Sequence, residues 1–123
     1  MIFIGNDIVK VSRIERLLKV YGDHFLNKIF SKDEIKIVKS KKQSSIHFSG
    51  KFSAKESSKK AIMTAGLSNI YFKDIEVLNR SDGSPYIRIK NLEESKYIKN
   101  LQISISHTDE YATAFTILEV SHI

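Results

Sequence analysis

The alternation of apolar and polar residues separates a first half with helical patterns from a second half with mainly extended ones. The apolar, β-branched residues 2–9 predict a buried first strand, with an irregular end at Gly5 and Asp7. Ser12 and Glu15 have the spacing of a capping box at the start of a helix. The apolar residues of that helix recur at helical spacing: Ile14, Leu17, Leu18 and Tyr21.

A second capping box and the longest helical pattern follow. Ser31 and Glu34 predict the start of another helix, which buries Ile35 and Val38. From residue 44 to residue 65, apolar and small residues recur at helical intervals. The sequence therefore predicts its longest helix over 44–65.

After Gly66 the pattern becomes extended. The predicted elements are a strand at 70–78, a turn at 81–85, a strand at 86–89, a short helix at 92–98, and strands at 102–106 and 112–118. The first two of these strands are expected to form a hairpin. Together the patterns predict an α+β fold, in which a small, largely antiparallel sheet packs against the long helix.

Length and composition favour one globular domain over residues 1–123. The chain contains no cysteine, so neither a disulfide nor a thiolate metal site is available to it. Its apolar runs are shorter than the roughly 20 residues that a membrane span needs. The first residues lack the basic start and long apolar core of a signal peptide. A cytoplasmic location without a membrane span is therefore expected.

Positive charge is concentrated in the first half of the chain. Residues 1–60 contain 14 Lys or Arg against 6 Asp or Glu, a net charge of +8, whereas residues 61–123 contain 6 against 8, a net charge of −2. Such a field favours an anionic partner: a nucleic acid, a phosphorylated cofactor or an acidic protein. Solubility alone is the other explanation of the same charge.

Two carboxylates and one lysine form the first candidate site. Glu56 and Lys60 lie four residues apart on the predicted long helix, so they share a face. Asp7 stands between apolar residues, where a carboxylate needs a partner, a hydrogen bond or a metal. Two carboxylates suit Mg²⁺, which proteins usually hold through one or two carboxylates together with substrate phosphates. The alternatives are an ordinary helix ion pair and a structural acid.

His107 is the second candidate, because it lies where an alternating strand stops among polar residues. Together with Thr108 it offers two donors to phosphate oxygens, or a base near neutral pH. A histidine that caps a turn is the alternative. His24, His47 and His122 lie outside such a cluster and are assigned no role. The chain contains neither a Gly-x-Ser-x-Gly elbow nor a Gly-x-x-x-x-Gly-Lys-[Ser/Thr] loop.

Three segments carry a resemblance that spans nearly the whole chain. They are Ile4-Gly5-Asn6-Asp7-Ile8-Val9 with Arg13-Ile14, Phe52-Ser53-Ala54-Lys55-Glu56-Ser57-Ser58-Lys59-Lys60-Ala61, and Ile103-Ser104-Ile105-Ser106-His107-Thr108. In this order they closely resemble the holo-[acyl-carrier-protein] synthase family, the small trimeric branch of the 4′-phosphopantetheinyl transferases. The resemblance implies the fold of that family.

The resemblance also implies an enzyme of fatty acid biosynthesis. It would transfer 4′-phosphopantetheine from coenzyme A to a serine of apo acyl carrier protein and release adenosine 3′,5′-bisphosphate. By position, Asp7 and Glu56 would hold Mg²⁺, and Lys60 would neutralise charge on the phosphate under attack, which makes these three the expected catalytic residues. Glu56 is the favoured base for the serine proton. The residues expected to contact coenzyme A are Lys60, Thr64, His107 and Thr108.

Partners follow from the same resemblance. Arg13 matches a family residue that meets the acidic helix of the carrier protein, and Arg16 extends this basic face. Ordinary solvated helix charges are the alternative for both residues. Family members are homotrimers with cofactor sites between subunits, so the site residues of one chain need not face each other. No nucleic acid is expected among the partners.

The chain departs from the family at three positions. Met63 and Ala65 stand where the family usually has glycine. Because a side chain restricts close backbone approach and positive φ, the coenzyme A site is expected to shift by a residue onto Gly66 or to bind more weakly. Lys51 stands where arginine is common, and keeps the charge without the two-pronged geometry.

Two other functions remain open. A small nucleic-acid-binding module would use the basic first half, but no recognised binding motif is present and few aromatic residues interleave with the basic runs. A related transferase that modifies peptide or polyketide carrier domains would use the same site residues on a different partner.

Overall fold

The computed structural model describes residues 1–121, so His122, which was assigned no role, and the last residue of the predicted domain lie outside the described part. The elements in chain order are β1 (Ile2–Lys10), α1 (Val11–Tyr21), α2 (Asp23–Ile29), α3 (Lys32–Lys39), α4 (Ser44–Thr64), a 3₁₀ helix (Phe72–Asp74), β2 (Ile75–Asn79), β3 (Pro85–Ile89), a second 3₁₀ helix (Glu93–Tyr97), β4 (Ile98–His107) and β5 (Tyr111–Val120). Within residues 1–121, no helix is long and apolar enough to cross a membrane.

The strands form two antiparallel sheets. One has the order β1-β5-β4, and the other pairs β2 with β3. Asp7 on β1 is paired with Ala114 on β5, and His107 on β4 is paired with Ala112. The long helix α4 packs against β1, β5 and β4 and also contacts β2. The predicted α+β fold, an antiparallel sheet against the long helix, is therefore confirmed.

The helix α4 is the centre of the molecule. Of its 21 residues, 12 are buried, among them serines and lysines as well as Phe48, Phe52 and Ile62. One hydrophobic cluster joins Phe48 to Phe30, and a second joins Ile62 to the strand β5. Because this helix is covered on most sides, its polar residues need partners inside the protein.

The backbone of β1 lies against the backbone of α4 at Gly5. A Cβ atom at this position would lie 2.0 Å from the carbonyl oxygen of Ser57. Only glycine therefore lets the backbone of β1 touch the backbone of the helix. This contact fixes how the helix crosses the strand that carries Asp7.

Two predictions about the start of the chain are wrong. Ser12 does not cap α1, because the helix begins at Val11, whose N–H donates to the carbonyl oxygen of Glu110 at 2.8 Å. The backbone of the turn between β4 and β5 thus accepts the hydrogen bond at this helix start. The strand β1 is regular to Lys10 and only half buried, since Ile4 and Ile8 are 61% and 66% exposed on the far side of the sheet from α4.

Most other elements are confirmed with changed limits. The capping box of α3 is present, with hydrogen bonds between Ser31 and Glu34 in both directions, and Val38 is buried. The hairpin forms, but its first strand starts only at residue 75 because a 3₁₀ helix precedes it, and the predicted short helix is also 3₁₀. The helix α2 was not predicted. It buries Phe25 and Leu26, which are too few apolar positions for a periodic signal.

Candidate functional site

Asp7 is a paired acid on the side of the sheet that faces α4. Its side chain is 14% exposed, and its Oδ1 lies 3.3 Å from Nζ of Lys60. The same ammonium group donates to the carbonyl oxygen of Asn6 at 3.1 Å. The structure thus brings Asp7 and Lys60 of one chain together, although the sequence left this open.

Two hydroxyl groups hold Asp7 in place. Ser53 Oγ lies 3.1 Å from the backbone oxygen of Asp7 and 3.2 Å from its Oδ2, and its single proton serves these two acceptors. Thr113 Oγ1 donates to the same backbone oxygen at 2.8 Å. Sequence reasoning missed Ser53. Its position three residues before Glu56 is the signal that places it on the same helix face.

Glu56 follows Ser53 by one turn and is half buried. The ion pair that its spacing to Lys60 permits is not among the salt bridges within residues 1–121, because Lys60 reaches Asp7 instead. The side chain of Glu56 lines a groove between α1, α2 and α4. The sequence left open whether Glu56 and Lys60 form an ordinary helix ion pair or belong to a metal and phosphate site. The described residues do not show the ion pair.

The donor set around Asp7 and Glu56 fits magnesium. Within the described chain, no cluster of three or more His, Cys, Asp or Glu side chains forms a complete metal site. Mg²⁺ does not need one, because it is usually bound through one or two carboxylates while phosphates and water fill the other positions. Asp7 and Glu56 supply two hard oxygen donors on neighbouring elements, and the basic Lys60 beside them suits a phosphate.

The groove next to Glu56, here called the apolar groove, has a volume of about 390 Å³. Its charged residues are Arg13, Lys28 and Glu56. The guanidinium of Arg13 lies 6.0 Å from the ring centre of Phe52. The apolar lining residues are Leu17, Tyr21, Phe25, Ile29, Phe52 and Phe72. Arg16 lies one turn further along α1 and lines a separate shallow pocket with Lys10, Ser12 and Arg13.

His107 lines a different pocket, here called the basic cavity, with a volume of about 250 Å³. Its ring stands edge-to-face to that of His47, with 6.5 Å between the ring centres. The polar lining residues of the basic cavity are Lys41, His47, Lys51, Asn79 and His107. This pocket contains only basic or neutral polar groups, which suits an anion.

The two sets of candidate residues lie on opposite flanks of α4. His47 and Glu56 are nine residues apart, which places them about 180° apart around the helix at roughly 100° per residue. Across the sheet, Asp7 and His107 lie on the two strands that flank β5, so they are at least roughly 10 Å apart at the usual spacing of strands. One chain therefore brings together Asp7 and Lys60, with Glu56 one turn before Lys60 on α4, but does not add His107 to them.

The remaining predicted contacts have different surroundings. The Oγ1 of Thr108 accepts hydrogen bonds from the N–H groups of Glu110 and Tyr111, so Thr108, not His107, caps the turn between β4 and β5. Thr64 is exposed four residues after Lys60, on the same helix face. The backbone of Met63 is helical, and the positive φ expected of a glycine occurs at Gly66, with φ 81°.

A buried ion pair lies behind the candidate site and was not predicted. Nζ of Lys55 donates to Glu34 Oε1 at 2.7 Å and to the carbonyl oxygens of Phe72 and Ile75, and both charged side chains are 0% exposed. Burial lowers the pKa of Lys55, and the Glu34 carboxylate opposes this shift. The pair ties α4 to α3 and β2 immediately before Glu56 in the chain.

Comparison with known proteins gives one consistent result. The model of the 4′-phosphopantetheinyl transferase superfamily matches residues 3–116. Holo-[acyl-carrier-protein] synthase of Protochlamydia amoebophila is 41% identical over 115 residues, 93% of this chain and 94% of the relative. The protein of the same name from Halothermothrix orenii is 41% identical over 120 residues, 94% of this chain and 95% of that protein.

Solved structures agree with the sequence comparison. A crystal structure of the Helicobacter pylori synthase in complex with coenzyme A has a TM-score of 0.81 and 32% identity, and covers 94% of this chain and 99% of that one. A Bacillus anthracis synthase in complex with CoA (3′,5′-ADP) has a TM-score of 0.78 and 31% identity, with 97% and 96% covered.

Proposed function

This chain belongs to the 4′-phosphopantetheinyl transferase superfamily, and we propose that it transfers 4′-phosphopantetheine from coenzyme A to a serine of apo acyl carrier protein. The observation that carries the proposal is the contact of Lys60 with Asp7, on the helix that also carries Glu56, in a chain whose relatives are holo-[acyl-carrier-protein] synthases. The second product is adenosine 3′,5′-bisphosphate. A nucleic-acid-binding role has no comparable support.

The reaction is a phosphoryl-type transfer. The serine oxygen of the carrier forms a bond to the phosphorus that bears pantetheine, and the bond from that phosphorus to the bridging oxygen breaks. The serine proton passes to a base, for which we propose Glu56, and adenosine 3′,5′-bisphosphate leaves with the bridging oxygen. Lys60 contributes a fixed positive charge beside the phosphorus, where charge builds up. Asp7 holds that ammonium in the free protein, and the hydroxyl of Ser53 holds the carboxylate of Asp7.

Asp7 and Glu56 are the residues that we propose to hold Mg²⁺. Bound there, the cation would offset the charge of the pyrophosphate and bind its oxygens. Lys60 then has two roles. It neutralises Asp7 when the site is empty, and it is free to turn toward a phosphate when Asp7 binds a cation.

The separation of His107 from Asp7 supports a site that is shared between chains in a homotrimer. The face of the three-stranded sheet that points away from α4, here called the open face, exposes large apolar side chains. They are Ile2, Ile4, Ile8, Phe115 and Ile117, each at least 43% exposed. A contiguous apolar face of this kind is typical of a subunit interface. Assembly through it would let His107 and Thr108 of one subunit contact the coenzyme held by Asp7 and Glu56 of another.

The apolar groove supports a docking role for α1. Arg13 combines a positive charge with a position at this groove, which leads to Glu56. Arg16 extends the positive surface along the same helix. An acidic helix with apolar residues on one side, as a carrier protein would present, matches both properties.

We propose that the reaction belongs to fatty acid biosynthesis and takes place in the cytoplasm.

A transfer assay with labelled coenzyme A tests the proposal. The expected result is label on the serine of apo acyl carrier protein, dependent on a divalent cation and absent with a carrier whose serine is alanine. Salt-sensitive binding to DNA or RNA without any label transfer would reject the proposal in favour of the rival function. Rates on peptide and polyketide carrier domains, measured beside the acyl carrier protein, decide between the two classes of carrier.

Reversing the charge of Arg13 should weaken carrier docking. For Arg13→Glu we expect KM for the carrier to rise about tenfold at low salt, because both steering and a rim contact are lost. KM for coenzyme A should stay near that of the wild type. Lys96→Glu makes the same charge change on the second 3₁₀ helix and serves as the control. Equal effects of the two substitutions would place docking away from α1.

Removing the Ser53 hydroxyl should disturb Asp7 without breaking the fold. For Ser53→Ala we expect a loss of about 1 kcal/mol of stability, the usual contribution of a hydrogen bond. We also expect a severalfold lower kcat, because the carboxylate loses one of its fixed contacts. Ser53→Thr, which keeps a hydroxyl, should recover part of the kcat.

Ser49→Ala is the matched control for Ser53→Ala. This buried serine lies one turn earlier on α4 and donates to the carbonyl oxygen of Ser45, with no second hydrogen-bond partner for its hydroxyl within residues 1–121. The stability measured by thermal unfolding should therefore fall by a similar amount in Ser49→Ala and Ser53→Ala, while kcat of Ser49→Ala stays at the wild-type value. If kcat fell equally in both variants, Ser53 would have a structural role only.

A further inference from the structure

The basic cavity is one-sided in charge. Its lining contains Lys41, His47, Lys51 and His107, and no carboxylate from the described residues. Basic groups placed together without a carboxylate among them disfavour one another's charged forms, and an anion in the cavity would favour those charged forms. The cavity therefore has the electrostatics of a phosphate site that is completed by its ligand.

Within this cavity, Lys51 is already engaged by the protein. Its Nζ donates to the carbonyl oxygen of Val77 at 2.5 Å and to Oδ1 of Asn79 at 3.4 Å. The pKa of Lys51 is lowered to about 8, mainly by burial and also by Lys55 and Lys41, while the Glu34 carboxylate opposes the shift. The lysine at the position where the family commonly has arginine thus offers fewer free donors, and other groups have to complete the site.

His47 is placed to do so. It lies near the start of α4 and is half buried. It faces Lys41 from the connection between α3 and α4, Lys51 on its own helix, and His107 from β4. The hairpin of β2 and β3 contributes Asn79 but no charged side chain to this lining. Every ionisable group that faces the imidazole of His47 from the described chain is thus basic.

These surroundings determine the direction of the pH effect. Burial lowers the pKa of His47 below its ordinary value of 6.5, and Lys41, His107 and Lys51 lower it further. The free protein therefore holds His47 neutral at pH 7. A phosphate nearby stabilises the charged imidazolium and raises the pKa, so binding takes up a proton. The contribution of His47 to the affinity therefore increases as the pH falls.

We propose that His47 is a binding residue for the phosphate groups of coenzyme A, and that its imidazole takes up a proton when the ligand binds. The inference rests on the proposed function for the identity of the ligand. It adds a residue that neither the spacing of the sequence nor the family resemblance singled out. It also makes the affinity for coenzyme A dependent on pH in the physiological range.

The test uses the full chain and adenosine 3′,5′-bisphosphate, which binds without any transfer reaction. Titration calorimetry at about pH 5.5 and about pH 7.5, in two buffers that differ in ionisation heat, measures affinity and proton uptake. His47→Gln keeps a polar side chain that cannot ionise, and His47→Lys carries a permanent charge. When the pH is lowered from about 7.5 to about 5.5, the affinity of the wild type should rise about tenfold more than that of His47→Gln. A tenfold difference in affinity corresponds to a change of one unit in the pKa of His47 on binding.

The variants separate the possible sources of the effect. Protonation of the ligand itself contributes to all three proteins and cancels in the comparison. His47→Lys should bind tightly at both pH values with less proton uptake than the wild type. If both variants keep the pH dependence and proton uptake of the wild type, the inference is wrong. If the wild type binds no nucleotide at either pH, the proposed function itself fails, so the two failures are distinguishable.

Discussion

Glu56→Gln should reduce the transfer rate at least ~100-fold, which is the usual effect of losing one group that stabilises a transition state. The substitution keeps the size of the side chain but removes its charge and its capacity to take a proton. It thus removes both roles that we propose for Glu56. Because Glu56 is half buried and makes no salt bridge within residues 1–121, the fold should not depend on it.

The measurement is kcat with apo acyl carrier protein, together with thermal unfolding of the same preparation. Glu93→Gln makes the same change at an exposed position on the second 3₁₀ helix and should leave both quantities unchanged. Near-normal turnover of Glu56→Gln in a folded protein would exclude Glu56 as ligand and as base. Asp7 would then be the remaining carboxylate candidate for both roles.

Lys55→Met should cause the largest loss of stability, about 3–5 kcal/mol, because it leaves the buried carboxylate of Glu34 without its partner. Two carbonyl oxygens, of Phe72 and Ile75, also lose their donor. The methionine has a similar length, so the loss reflects charge and hydrogen bonds more than volume. Chemical denaturation at neutral pH measures it.

Two variants make this prediction specific. Lys59→Met is the same change on the same helix, but this lysine is half exposed, and its ammonium lies over the ring of Phe72 at 4.6 Å from the centre. It should cost no more than about 1 kcal/mol. The double variant Lys55→Met with Glu34→Gln removes both charges and should lose less than the sum of the single changes. Strict additivity would contradict an ion pair.

The candidate residues of the Asp7 site were predictable from local sequence, because each one stands out through its immediate neighbours or its spacing on a helix. Glu56, Lys60 and Thr64 share a helix face through spacing alone, and the apolar neighbours of Asp7 marked it as an acid in need of a partner. The actual partner was not predictable. Lys60 pairs with Asp7 and not with Glu56, because Gly5 lets β1 touch α4 and brings residues 53 positions apart into contact.

The burial of two lysines of α4 was not predictable from the sequence pattern. Lys51 and Lys55 belong to a run that looks like a solvated basic face, yet they are 6% and 0% exposed. The reason is that α4 is covered by the sheet on one side and by α3 and β2 on another. Their acceptors, Glu34 and the carbonyl oxygens of β2 and its preceding turn, come from distant parts of the chain.

Local periodicity and motif order by themselves determined the α+β class, the long helix, the hairpin, the family resemblance and the carboxylate-lysine set, because each depends on residues close together or on their order. Only the tertiary structure decided on which side of α4 each candidate residue lies. It placed Asp7, Ser53 and Lys60 on one flank and His47, Lys51 and His107 on the other. The physical reason is that hydrogen bonds and charge interactions act across a few ångströms in space, and strand pairing and helix packing set those distances.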